Sequence, residues 1–341
     1  MAESPTPREM IKGLLQGAAP PRPLFLPLVF SPGARVESQP LPAFLSNPTK
    51  ICSAQRQLRG PLRADGFSCY FDPALELEAL GASLQWGAEN QAPAVSWPHG
   101  ATPGELPENL RSPEEAVKSG RAAVAADVIR RMNAMTRDDS ILMAGLSGPF
   151  TLAARLAQLD RDDAWRTQPP PDDALELAAA LLTQMARSFV EAGANLIFIH
   201  EPLLPALSED LCASWASALE PAFNVIRFYQ ALPVLQLSAA ASFAANASVI
   251  SGRQWDCLLF PPLDDSSAQF SGKIPTGAAM ALGLPLAAFE MDDAALDSFR
   301  ASFRRTVSDL RPAILTTAGD IPPATDMKRM LKVLEAIPRA Y

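Results

Sequence analysis

Short apolar runs alternate along the chain with longer stretches in which apolar residues recur every three to four positions. Eight such runs stand out, at 24–30, 66–71, 141–146, 196–201, 234–238, 257–260, 279–283 and 313–317. They are short, do not alternate with polar residues and are bounded by Gly or Pro, the pattern of strands buried on both faces of a parallel sheet. The segments between them carry helix punctuation. Asp172, after Pro169, Pro170 and Pro171, can cap a helix whose Leu175, Leu182, Met185 and Phe189 share one stripe and which Gly193 ends. Ser112 and Glu115 have capping-box spacing ahead of a helix running toward Met135. Residues 293–310 and 326–337 read as amphipathic helices. Strand and helix alternating at this rhythm, with right-handed crossovers and eight strands, predict an α/β fold closed as a (β/α)8 TIM barrel.

Composition narrows this. A length of 341 residues allows two domains or one barrel, and the rhythm selects one barrel domain over 1–341 with an N-terminal extension at 1–22. A 48% hydrophobic content excludes a disordered chain, and 33 prolines exclude a long coiled coil. The net charge of -8, with Lys and Arg scattered, gives no footprint for nucleic acid. The N-terminus lacks the apolar core of a signal peptide, and no run approaches the roughly twenty residues of a membrane span, so a soluble cytoplasmic protein is expected. Cys52, Cys69, Cys212 and Cys257 form no CxxC pair and read as buried free thiols. The Pro-rich stretch at 91–107 reads as a long loop or lid.

Catalytic groups of such a barrel stand at the carboxyl ends of its strands. That rule selects Arg35, Asp72, Ser147, His200, Glu201, Gln236, Ser238, Asp264, Asp265 and Asp320. Asp72, followed by Pro73 and a helical run, reads either as an N-cap or as a carboxylate at the mouth accepting substrate N–H groups. His200 is either a hydrogen-bonded core histidine or a proton handler, and Arg35 either a surface ion pair or a carboxylate clamp. Ser147, before Gly148 and Pro149, opens a strand-to-helix turn. His99 lies in a loop, and no local signature of a Ser/His/Asp triad accompanies it. Dinucleotide, P-loop and HExxH motifs are absent.

Residues 69–81, with Phe71-Asp72 and Ala79-Leu80-Gly81 seven positions apart, resemble a segment of the uroporphyrinogen decarboxylase superfamily, and the Glu76 and Glu78 pattern is closer to its cobamide-dependent methyltransferase branch. Gly148-Pro149-Phe150-Thr151-Leu152 resembles the family's Gly-Pro-x-Thr-Leu turn. Residues 191–195 and 320–325 are also similar to family segments. The resemblance runs from about residue 23 to 337.

The resemblance implies an α/β barrel whose mouth holds a tetrapyrrole or exchanges a methyl group with a corrinoid. Asp72 falls on the aspartate that, in the decarboxylases, binds pyrrole N–H groups and stabilises the cation formed when a pyrrole is protonated. Arg35 falls on one of two substrate arginines; the other becomes Ser31. The family's tyrosine after the turn becomes Arg155, a serine becomes Pro202, and a late histidine becomes Gly319. In the methyltransferases, zinc held by a His-x-Cys and a late cysteine activates a thiol; those positions hold Gln236, Ser238 and Gly319, so zinc is not expected.

The leading expectation is therefore decarboxylation of a tetrapyrrole or related polycarboxylate. Asp72, His200 and Glu201 are its catalytic candidates, and Arg35, Arg155, Ser147, Gln236, Ser238 and Asp320 its substrate-binding candidates. The alternatives are a corrinoid-linked methyltransferase without zinc, working with a corrinoid protein, and a non-catalytic ligand-binding barrel. Family members pair as dimers, and the apolar content permits a homodimer.

Overall fold

The computed structural model describes residues 4–87, 93–97, 102–136, 139–161, 163–237, 246, 250, 252–260, 277–335 and 337. In chain order the elements used below are α1 (Pro7–Leu15), β1 (Leu24–Phe25), α2 (Gly33–Val36), α3 (Leu41–Leu45), α4 (Pro48–Leu62), β2 (Gly66–Tyr70), α5 (Leu75–Leu80), β3 (Ser83–Gln85), β4 (Ala94–Ser96), α6 (Pro113–Ala116), α7 (Gly120–Met135), β5 (Ile141–Ser147), α8 (Pro149–Leu156), α9 (Asp172–Ala192), β6 (Leu196–His200), α10 (Glu209–Phe228), β7 (Leu232–Gln236), β8 (Cys257–Phe260), β9 (Ala279–Leu284), α11 (Asp293–Leu310), β10 (Ile314–Thr317) and α12 (Met327–Leu334).

Each of the eight apolar runs overlaps a strand, and these strands form one parallel sheet in the order β1-β10-β9-β8-β7-β6-β5-β2. The hairpin of β3 and β4 stands outside it. The two ends of the sheet meet without a regular ladder. Asp65 N donates to Phe25 O at 2.9 Å, while Ser68 Oγ accepts from Val29 N at 3.0 Å and donates to Pro27 O at 3.2 Å. The barrel is therefore nearly closed. Pro27 has no N–H to offer, so regular pairing stops at Phe25 and the expected strand 24–30 shrinks to two residues.

Other boundaries shift for local reasons. Pairing in β6 ends at His200, which leaves Glu201 in the following turn, and β7 covers 232–236; Ser238 lies outside the described residues. The Ser112–Glu115 capping box forms, but the helix it opens breaks after one turn and restarts as α7. Gly120 at the restart has φ +47°, a left-handed backbone that interrupts a continuous helix. Pro171, not Asp172, holds the cap position of α9; Asp172 is the first helical residue, where its charge still favours the helix N-terminus. Gly193 ends α9 at φ 111°, as its spacing predicts. Asp292 and Asp326 cap α11 and α12.

The N-terminal extension is part of the packing. Met10, Ile11 and Leu14 of α1 join the main core, and Arg8 Nε donates to Ser140 O at 2.8 Å, just before β5 begins. All four cysteines are buried and free. No helix among the described residues is long and apolar enough to cross a membrane.

Candidate functional site at the barrel mouth

The carboxyl ends of the strands surround a cavity of about 410 Å³, near the lower end of the size range of small-molecule sites. Phe71 and Asp72 reach it from beyond β2, Gly145 to Ser147 from β5, His200 from β6, Gln236 from β7, and Ala318 to Ile321 from beyond β10. Trp86 and Pro93, flanking the hairpin strands, roof one side. Gly145 is required by space: a β-carbon there would lie 2.5 Å from Phe71 Cδ1 and 2.9 Å from His200 Nε2.

Asp72 is not the N-cap of α5, a position Ala74 holds with no side-chain bond; its Oδ1 accepts from Ala74 N at 2.9 Å in the turn ahead of that helix, and it lines the mouth. Its remaining oxygen, however, is taken by Arg121 Nη1. Arg121 Nε also donates to Glu78 Oε2 at 2.5 Å, and its guanidinium carbon sits 5.5 Å from the Trp86 ring centroid. The Asp72 and Arg121 side chains are each 5% exposed, so this is an ion pair held largely away from water. Arg121 went unread in the sequence. Its signal was a charge on the apolar stripe of α7, in line with Ala125, Val128, Ile129 and Met132, all of them buried.

The other candidates separate into those that face the cavity and those that do not. Glu201 is buried behind the mouth. It accepts from Phe150 N at 3.1 Å, Thr151 N at 2.8 Å and Trp215 Nε1 at 2.9 Å, which makes it the cap of α8; burial pushes its carboxyl up despite these bonds. Arg35 is exposed and donates to Ala324 O at 2.7 Å, away from the cavity. Ser147 lines the mouth while its N–H donates to Glu76 Oε1 at 2.5 Å. Glu76 is buried, its second oxygen has no partner, and burial pushes its carboxyl to about 7.

His200 packs near the Phe198 and Phe71 rings, with centroids 6.0 Å and 6.2 Å away. Burial lowers it to about 4, partly offset by the Gln236 side chain, so the imidazole is neutral at pH 7. Gln236 Nε2 donates to Ala318 O at 2.5 Å, leaving its buried Oε1 unpartnered. Asp320 accepts from Phe30 N at 2.7 Å and Ser31 N at 2.9 Å, yet burial still pushes it to about 7. Arg155, half-buried at the cavity wall, donates to Pro73 O at 2.9 Å. Ser238, Asp264, Asp265 and His99 lie outside the described residues.

Among the described residues the mouth thus joins a cation without an ion-pair partner, Arg155, a carboxyl poised to gain or lose a proton near neutrality, a neutral imidazole and the polar side chains of Ser147 and Gln236 in a mostly apolar hollow. Among the described residues no three His, Cys, Asp or Glu side chains converge, and the thiol-activating positions of the methyltransferases hold an amide at Gln236 and no side chain at Gly319.

These features define a TIM-barrel protein with a cavity at the carboxyl face of its strands. Residues 6–223 match the family model described as uroporphyrinogen decarboxylase (URO-D), and the chain belongs to that family. It is 28% identical over 131 residues to the methylcobamide:CoM methyltransferase MtaA of Methanosarcina barkeri (strain Fusaro), a match spanning 37% of each chain. It is 26% identical over 137 residues to the methylated-thiol–coenzyme M methyltransferase of Methanosarcina mazei, 39% of this chain and 35% of that one. The matches therefore span little more than a third of these relatives. Among solved structures, a methyltransferase from Methanosarcina mazei superimposes with a TM-score of 0.77 at 18% identity, covering 97% of this chain and 98% of that one. A B12-independent methionine synthase from Shewanella sp. W3-18-1 gives 0.55 at 12% identity, covering 86% of each. Both likenesses are of fold.

Proposed function

We propose that this chain is a corrinoid-linked methyltransferase that works without the zinc ligands of that branch, moving a methyl group from a small oxygen-linked donor in the mouth to a reduced cobamide presented by a partner protein, or back from the methylated cobamide. The charge inventory of the cavity carries the reading. A substrate with eight carboxylates needs several cations, and among the described lining residues only Arg155 supplies one. Asp72, which in a decarboxylase would stabilise a pyrrole cation, already has a cation in Arg121. The names of the curated relatives support methyl transfer over decarboxylation.

A cobamide, when bound, would supply a cobalt able to accept the methyl group in its reduced form and to give it in its methylated form. Its ring is larger than the cavity of about 410 Å³ and would stay with the partner protein, facing the mouth. The rest of the chemistry belongs to this chain. Asp320, fixed by two backbone N–H groups and about half protonated near pH 7, gives its proton to the substrate oxygen that loses the methyl group and takes it back in the reverse direction. Neutral His200 and Gln236 orient that oxygen. Trp86, seated on Arg121, excludes water from the mouth.

The test is to mix the purified protein with reduced cobalamin and methoxylated benzenes and follow methylcobalamin by absorbance. Turnover is expected in the parent protein, with a loss of about 100-fold or more in Asp320→Asn. Stepwise CO2 release from uroporphyrinogen, with no demethylation, would overturn the reading.

A further inference from the structure

We infer that the ligand of the barrel mouth is a small organic monoanion with a flat apolar body, its charged end against Arg155 and its body beneath Trp86. This deepens the methyl-transfer reading, on which it rests, by naming the substrate class. The argument begins with the charges that face the cavity. Asp72 lines it, but one oxygen is bound to the Ala74 N–H and the other to Arg121, so its charge is answered within the protein. His200 is neutral at pH 7, and Asp320 is close to half-neutral there. Among the described lining residues Arg155 is then the cation without an ion-pair partner.

Arg155 Nη1 donates to the Pro73 carbonyl, an uncharged partner, and the guanidinium is felt at a distance by Glu76 and His200, but among the described residues no carboxylate pairs with it directly. A planar fork with donors to spare suits a carboxylate, which it can hold through two parallel hydrogen bonds. Next to it the wall is apolar and partly aromatic, from Leu41, Leu45, Phe71 and Trp86. A cavity of about 410 Å³ suits a single ring better than a macrocycle. Arg121 also contributes from behind the wall. By matching Asp72 it removes the repulsion an anion would otherwise meet, and by lying under the Trp86 ring it fixes the roof.

Thermal shift and calorimetry, run without any corrinoid, test the inference with benzoate and with benzyl alcohol as a neutral analogue of similar shape. Benzoate should raise the melting temperature in proportion to the logarithm of its concentration, and benzyl alcohol at the same concentrations should give less than a third of that shift. Arg155→Met should weaken benzoate at least tenfold. Arg155→Lys should retain part of the response and serves as the reading should the methionine variant fold poorly. Arg35→Met, which removes the same charge outside the cavity, should leave benzoate binding unchanged. Equal shifts from benzyl alcohol, no response to benzoate in the parent protein, or full benzoate affinity in both Arg155 variants would overturn the inference. Because no cobalamin is present, benzoate binding alongside failed demethylation would count against the reaction alone, and demethylation without anion preference against the ligand class alone.

Discussion

A carboxylate at the neck of a barrel, with apolar walls on most sides, is costly unless another charge answers it. Asp72 finds that answer in Arg121, 49 residues further along the chain. Removing one member of a buried pair strands the other, which costs roughly 3–5 kcal/mol. Arg121→Met should therefore lower stability by about that much in urea denaturation, since Asp72 and Glu78 both lose their partner. The double variant Arg121→Met with Asp72→Asn should recover a substantial part, because the stranded charge is gone; additive losses would show that the pair is not coupled. The sequence made Asp72 legible through its place at a strand end. Its partner was not, because nothing local ties a charge on one helix to a turn so far upstream. What could be read was only the anomaly of an arginine among Ala125, Val128 and Ile129.

Elements were more legible than the residues they carry. Runs such as 196–201 and 257–260 announce buried strands because 196–199 and 257–260 are apolar without interruption and buried on both faces. Ends were less so. Pro27 and Gly120 break a strand and a helix at points where hydrophobic patterning continues unchanged, and it is backbone chemistry that decides there. Glu201 shows the same limit. Its position one residue beyond β6 suggested catalysis, but the structure turns it toward the start of α8, where the N–H groups of Phe150 and Thr151 are otherwise without helical partners. The turn is built tightly around it: a β-carbon at Gly148 would lie 2.5 Å from Glu201 Cγ. Gly148→Ala should thus destabilise by about 1–3 kcal/mol through overpacking. It should also disturb the fluorescence of Trp215, which donates to the same carboxylate. A variant with parent stability and parent emission would show that α8 does not depend on this cap.

At the scale of the whole molecule, the buried acids make stability respond to pH in an unusual direction. Burial raises Glu76 from 4.5 and Asp320 from 3.8, each to about 7. The folded chain therefore keeps two protons that the unfolded chain releases between pH 4 and 7, and the stability they contribute is complete below pH 4 and lost as pH rises through 7. His200 acts oppositely: lowered from 6.5 to about 4, it leaves the unfolded state to take up a proton first, so its contribution is lost as pH falls from 6.5 toward 4. Glu76 can be isolated from the rest by substitution. In Glu76→Gln the side chain no longer ionises, so the variant's stability relative to the parent should rise between pH 5 and pH 8, by about 3 kcal/mol at most. Urea denaturation at the two pH values measures this directly. The constant cost of altering the hydrogen bond from Ser147 N cancels in the difference, and a difference that does not grow with pH would show that Glu76 titrates as an ordinary surface carboxyl. The same physics ties stability to chemistry here, because the burial that makes an ionised carboxyl costly also holds Asp320 near the pKa a proton donor needs at neutral pH.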